Sequence, residues 1–309
     1  MGKIVRKLKL LCKNFSFRRL AHNIWYLIRI DLEKHEEDLI YRIKDEVIEE
    51  CALELDDIKK NLPVLDILDR NATYEKLKNE PKSFTRLGDG EIHIIEGKDQ
   101  PFQIYDPLLA RKMVDILSKG RDDVYVGLNY AYFDSPNNYI ERNRKFYRIR
   151  STHYRRFFTS ICDMNRQYLD ASFGGAYFRF NEGYDYEGHY QRIMELFRDK
   201  DVAIVSGAGI VENLEYDLFQ LAKSKMFINA PRINAFSEYD NILAEIKEKV
   251  STDTLICLVL GMTATAMVPD LTDMGYMAWD LGHLAKEYNA YMHREEKTQE
   301  NLDRFWAPD

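Results

Sequence analysis

From about residue 63 onward, short apolar runs alternate with stretches of helical period. "FTRL", "DVYVGLN", "GAYFRF", "DVAIVSGAG", "KMFINAP", "DTLICLVLGMTAT" and "YMAWDLGHL" read as strands. Several are apolar almost throughout and end in glycine, the pattern of strands buried on both faces. Between them, Pro107–Leu117, residues 138–170, Tyr186–Phe197, Glu212–Ala222 and Tyr239–Val250 read as helices. Alternation of this kind predicts an α/β, Rossmann-like fold with a mostly parallel sheet and helices on both faces.

The first 62 residues follow a different rule and predict a helical extension. Ile4, Leu8, Leu11, Phe15, Leu20, Ile24, Leu27 and Ile28 stand among basic residues, and residues 1–30 carry eight Lys/Arg and no Asp/Glu. A basic amphipathic segment can lie on an anionic membrane surface or pack on a protein body. Leu39, Ile40, Ile43, Val47, Cys51, Leu55 and Ile58 then recur at helical steps in an acidic stretch. That helix can pack on the body or pair two copies as a homodimer. Three segments are expected: an extension over 1–62, a domain over 63–297, and a polar tail over 298–309.

Composition narrows the class. The 309 residues are 45% hydrophobic, enough for a large core, and the net charge of −7 argues against a nucleic-acid binder. Cys12, Cys51, Cys162 and Cys257 show no metal-ligand spacing. Neither a secretory signal nor a membrane-spanning run is visible, so a cytoplasmic protein is expected, with peripheral membrane contact through residues 1–30.

Candidate chemistry concentrates where "FTRL" stops at Gly88-Asp89-Gly90-Glu91. Two carboxylates on a glycine-rich turn can converge on a hard divalent cation such as Mg²⁺ or Mn²⁺, which favours oxygen ligands and substrate phosphates. A plain surface turn explains the same four residues. Other strand ends add phosphate-type turns: Gly207 and Gly209 in "VSGAGIVEN", Gly261 and Thr263 in "LGMTAT". Tight turns and simple capping account for them equally well. Asp280, Gly282 and His283 close the last strand, and Arg179 and Arg232 can supply fixed charge to a diphosphate or form ion pairs. A metal-bridged nucleoside diphosphate satisfies both kinds of turn.

Taken in order, "TRLGDGE", "PFQIYDPLLARKMVDIL", "YDLFQLAKS", "INAPRINAFSEYDNIL", "LVLGMTATAMVPDL" and "GYMAWDLGHLAKEY" resemble the GT-D glycosyltransferases over about residues 63–292. The resemblance implies sugar transfer from a nucleotide sugar, typically UDP-linked, to a lipid-linked or protein-linked glycan in surface polysaccharide or glycoprotein synthesis. It also implies an Asp-x-Glu motif holding metal and diphosphate, which falls on Asp89 and Glu91. With it, Arg86, Gly88, Gly90, Gly207, Gly209, Arg232, Gly261 and Thr263 become candidates for the donor side, and Asp280, His283 and Glu287 for orienting or deprotonating the acceptor. The chain departs from the family pattern at Ser206, Met262 and Ala285, all around the same crevice. Another group transfer of polysaccharide synthesis, or a non-catalytic subunit of a glycan-assembly complex, are the alternative readings.

Overall fold

The computed structural model describes residues 60–134 and 138–307, with four helical positions at 39, 40, 43 and 47. The chain divides after Leu55 into two units. In the first, the described positions Leu39, Ile40, Ile43 and Val47 are exposed, so an apolar stripe faces outward on a helix. The basic segment at 1–30 lies outside the described residues.

The second unit is the α/β domain. Its strands are β1 (Asp66–Ile67), β2 (Ser83–Leu87), β3 (Val124–Leu128), β4 (Gln167–Asp170), β5 (Asp201–Gly207), β6 (Ser224–Ala230), β7 (Leu255–Val259) and β8 (Met277–Asp280). The helices are α1 (Arg70–Asn79), α2 (Asp89–Ile95), α3 (Pro107–Lys119), α4 (Glu141–Ile161), α5 (Tyr186–Glu195), α6 (Tyr239–Lys249), α7 (Met262–Asp273), α8 (Leu284–Met292) and α9 (Gln299–Trp306). One eight-stranded sheet forms in the order β1-β4-β3-β2-β8-β7-β5-β6. Each strand pairing in it is parallel. All strand tips therefore point the same way, and the β1-β4-β3-β2 half meets the β8-β7-β5-β6 half where Phe84 opposes Trp279.

The continuous apolar runs are what make the centre of the sheet dry. Ala203, Ile204, Val205, Ile256, Cys257, Leu258 and Ala278 are all fully buried, as strands covered on both faces must be. The largest buried side chain is Trp279, whose indole donates to the Lys82 carbonyl at 2.8 Å. An indole needs such a partner when water is excluded.

Three expected elements come out differently. Residues 138–170 hold helix α4 and then strand β4 rather than one long helix. "GAYFRF" folds as turns with a single antiparallel bridge, Tyr139 to Phe180, because its amides bond to Ser172 and Ala176 close by. Residues 212–222 form turns and no helix. There, Asn289 and Asp217 carboxamide and carboxylate oxygens take the Tyr216 and Phe219 amides, which a helix would have needed. After residue 297, where the sequence suggests a polar tail, Thr298 caps α9, whose Leu302 and Phe305 are buried.

Candidate active site

A cavity of about 470 Å³ opens at the strand tips, where the two half-sheets meet. Open parallel sheets bind ligands at this end. Its lining includes Arg86 near the end of β2 with Gly88, Asp89, Gly90 and Glu91 after it, Asp280 at the end of β8 with Gly282 and His283 after it, Gly261 after β7, and Arg232 after β6. Topology alone thus gathers most of the candidate residues around one space.

The acidic tetrapeptide is not the turn expected from its glycines. Gly88 is the N-cap and α2 starts at Asp89, so the two acids occupy the first and third helical positions. Two helical steps rotate by about 200°, so the two acids reach the same cavity from different sides of the first turn of α2. Asp89 stands exposed on the rim while Glu91 turns back, its Oε2 accepting from the Gly88 amide at 2.7 Å. Burial raises the Glu91 carboxyl to about 7; the Gly88 bond opposes this, and the Asp280 and Asp89 charges add to it. Gly90 makes room for α7: a Cβ there would sit 2.5 Å from the Met262 Cε.

Arg86 binds the join between the half-sheets. Its Nη1 donates to Ala171 O at 2.9 Å and its Nη2 to Asp280 Oδ1 at 3.0 Å. Asp280 also accepts from the Gly282 amide at 3.0 Å. Burial pushes the Asp280 carboxyl up, and the Arg86 charge and hydrogen bond pull it back. Gly282 has φ +51°, and a Cβ on it would fall 2.0 Å from Arg86 Nη2, so glycine here leaves space for the guanidinium.

His283 is partly covered, its ring 5.7 Å from Phe102 and 5.3 Å from Trp306. Burial, with the charges of Lys286, Arg86 and Arg179, lowers its pKa to about 3, so the imidazole is neutral at physiological pH. Gly261, at φ +54°, brings backbone to the cavity wall. Arg232 is exposed and its Nε donates to Ala208 O at 2.9 Å.

Four candidates lie behind the wall. Gly207 and Gly209 do not border the cavity, although Ile210 beside them does. Gly207 permits close packing, since a Cβ on it would be 2.9 Å from Arg232 Cα. Thr263 is buried and its hydroxyl donates to Gln103 Oε1 at 3.2 Å. Glu287 is buried too: Oε1 accepts from the Phe178 amide at 3.0 Å, and Oε2 lies 3.7 Å from Arg179 Nε. It organises the loop that carries Arg179 and does not face the cavity.

Sequence reasoning passed over Arg142, Tyr147, Asn129 and Trp306, all of which line the cavity. The density of arginine and tyrosine in "ERNRKFYRIR" was the available signal.

Among the described residues no three His, Cys, Asp or Glu side chains gather into a cluster that could hold a metal by themselves. The acids at the join still suit a hard cation that takes further ligands from substrate oxygens. Burial is the main cause of the raised Glu91 carboxyl; the Asp280 and Asp89 charges add to it, and a bound cation would relieve that smaller share.

A parallel α/β sheet with acids and glycine turns around a cavity at its strand tips is an arrangement that glycosyltransferases share with other α/β enzymes, and the family match selects among them. The chain belongs to the GT-D family: residues 84–305 match the family described as "Glycosyltransferase GT-D fold". It is 29% identical over 234 residues to "Glycosyltransferase GlyD" of Streptococcus pneumoniae serotype 4, covering 75% of this chain and 28% of that protein. It is 30% identical over 232 residues to "Probable glycosyl transferase Gly" of Streptococcus gordonii, covering 72% of this chain and 33% of that one. The chain thus spans about a third or less of the length of these two relatives. One solved structure, a domain of unknown function described as having a distinct glycosyltransferase fold, superposes with TM-score 0.72 at 31% identity, covering 78% of this chain and 86% of the other. A glycosyltransferase from Streptococcus sanguinis gives TM-score 0.71 at 26% identity, covering 80% and 95%.

Proposed function

We propose that the protein transfers a sugar from a UDP-linked donor to a glycan acceptor in surface polysaccharide or glycoprotein synthesis. The observation that carries this reading is the placement of Asp89 and the desolvated Glu91 at the join of the half-sheets, on one cavity with Gly261 and Arg232. Asp89 and Glu91 would hold Mn²⁺ or Mg²⁺, which supplies charge neutralisation for a departing diphosphate. Arg232 and the backbone at Gly261 border the β7-β5-β6 side, where they can steady phosphate oxygens. Arg86 and Asp280 neutralise each other and fix the geometry of the join. His283, kept neutral, can hold an acceptor hydroxyl by a hydrogen bond without adding charge. Apolar surroundings, Phe102 and Trp306 among them, limit water at that point.

The test is a panel of nucleotide sugars with Mn²⁺, comparing the wild type with Asp89→Asn. Loss of turnover by about 10²-fold or more is expected. Equal rates would remove the acid from the chemistry. No thermal shift with UDP and Mn²⁺ would instead point to a non-catalytic subunit. The proposal extends to action at the inner face of the membrane: deleting residues 1–30 should release the protein from anionic vesicles. Among the described residues no helix is long and apolar enough to cross a membrane.

A further inference from the structure

The cavity wall on the β3-β4 side is built differently from the donor-type turns. Helix α4 starts against the loop after β4: the Ile140 amide donates to Arg179 O at 2.9 Å, and Asn143 Nδ2 to Phe178 O at 3.1 Å. These bonds bring Arg142 and Arg179 to one stretch of wall. Helix α9 closes over them, with Arg142 Nη2 donating to Asp303 Oδ1 at 2.9 Å and the Trp306 ring 5.2 Å from the Arg179 guanidinium carbon.

Each guanidinium nevertheless keeps a buried N–H without an acceptor among the described residues: Nη1 of Arg142 and Nε of Arg179. The Glu287 oxygen nearest Arg179 Nε is 3.7 Å away, beyond hydrogen-bond length. Unsatisfied buried donors are costly, and what sets these two apart from others in the domain is that both side chains border the cavity, where a ligand oxygen can reach their guanidinium groups. A guanidinium prefers an oxyanion, and an indole edge or face beside it suits a sugar ring.

We propose that Arg142, Arg179 and Trp306 form a second subsite, which receives an acidic group, carboxylate or phosphate, carried on the acceptor sugar. This rests on the glycosyl-transfer reading, in which the donor diphosphate is served from the opposite side by Gly261 and Arg232. Sheet order separates the two: β3 and β4 lie on one flank of the β2-β8 join, and β7, β5 and β6 on the other.

Glucuronic acid and glucose 6-phosphate, with glucose as the neutral control, are suitable probes for the full chain. Binding is read by tryptophan fluorescence in a Trp25→Phe background, because of the three tryptophans Trp306 lines the cavity whereas Trp279 is sealed in the core; Trp306→Phe assigns the signal. Both acids should bind in the presence of saturating UDP and Mn²⁺, and glucose about tenfold more weakly or worse. Arg142→Gln and Arg179→Lys should each weaken the acids about tenfold and leave UDP–Mn²⁺ affinity within about twofold. Displacement of the acids by UDP, or an equal loss of UDP affinity in the variants, would reassign the arginines to the donor diphosphate and overturn the proposal. Equal binding of glucose and the acids would overturn it as well. If Arg179→Lys melts early, Arg142→Gln, at a more exposed position, decides the question. Failure of UDP–Mn²⁺ to bind wild type counts against the transfer reading itself and is scored separately from the acid-sugar titrations.

Discussion

The two halves of the sheet meet ligand space in different ways. On the β7-β5-β6 side the strands are in register over five to seven residues, β5 and β7 are buried while the edge strand β6 is largely exposed, and the tips of β5 and β7 run into glycines, with Gly261 reaching the cavity. On the β3-β4 side the tips present side chains: Asn129, Ser172 and Arg179, joined by Tyr147 from α4 and Trp306 from α9. One flank can grip a common group such as a phosphate through backbone and one arginine. The other displays a particular set of rings and charges, the kind of surface that distinguishes one partner from another.

The severest way to break this contrast is at the seam. Asp280→Ala leaves the half-buried Arg86 without its carboxylate partner, and a loss of about 3 kcal/mol in urea unfolding is expected. A loss under about 1 kcal/mol would mean the halves do not depend on that ion pair.

The β4 flank is sharpened by pH. His189 is buried, its Nε2 facing Gly174 O at 2.8 Å and Nδ1 lying 3.2 Å from the Tyr184 hydroxyl. A carbonyl only accepts, so Nε2 carries the proton and Nδ1 accepts. Burial lowers its pKa to about 3, with nearby Arg70 and Arg192 charge in the same direction. A folded pKa below the unfolded value means stability is complete above about pH 6.5 and falls as pH drops towards 3. His189→Gln should flatten that fall by roughly 2–3 kcal/mol between pH 6.5 and 4, seen as converging melting temperatures. Parallel curves for wild type and variant would refute the assignment.

The smallest effect is expected where the seam touches the β7 flank. Gly90→Ala brings a Cβ to the mobile end of Met262, while alanine favours the helix. The two should nearly cancel, with a net change within about 1 kcal/mol by thermal melting. A larger loss would show Met262 to be held rigidly.

Much of the architecture could be read from the chain, because its strands are runs of Val, Ile, Leu and Ala with glycine at the ends. The parallel α/β class, most of the strands and the crevice at their tips follow from that pattern. What escaped depends on contacts distant in sequence. The turns at 212–222 are decided by Asn289, over seventy residues away. Helix α9 looks polar because only Leu302 and Phe305 are buried inward. Asp89, Glu91, Asp280 and His283 come together on one cavity, whereas Glu287 and Thr263, equally conspicuous as letters, are engaged in holding the frame. Arg142 stands in an arginine- and tyrosine-rich run, but nothing local ties it to Trp306, since their meeting depends on two helices more than 130 residues apart.

The strand that completes the sheet is the last one synthesised. Until β8 slips between β2 and β7, both of those strands present open, apolar edges to the cell. A nascent chain halted before residue 277 is therefore a sticky object with two unfinished borders, a natural client for chaperones, and cooperative folding should begin in earnest only when that central piece arrives.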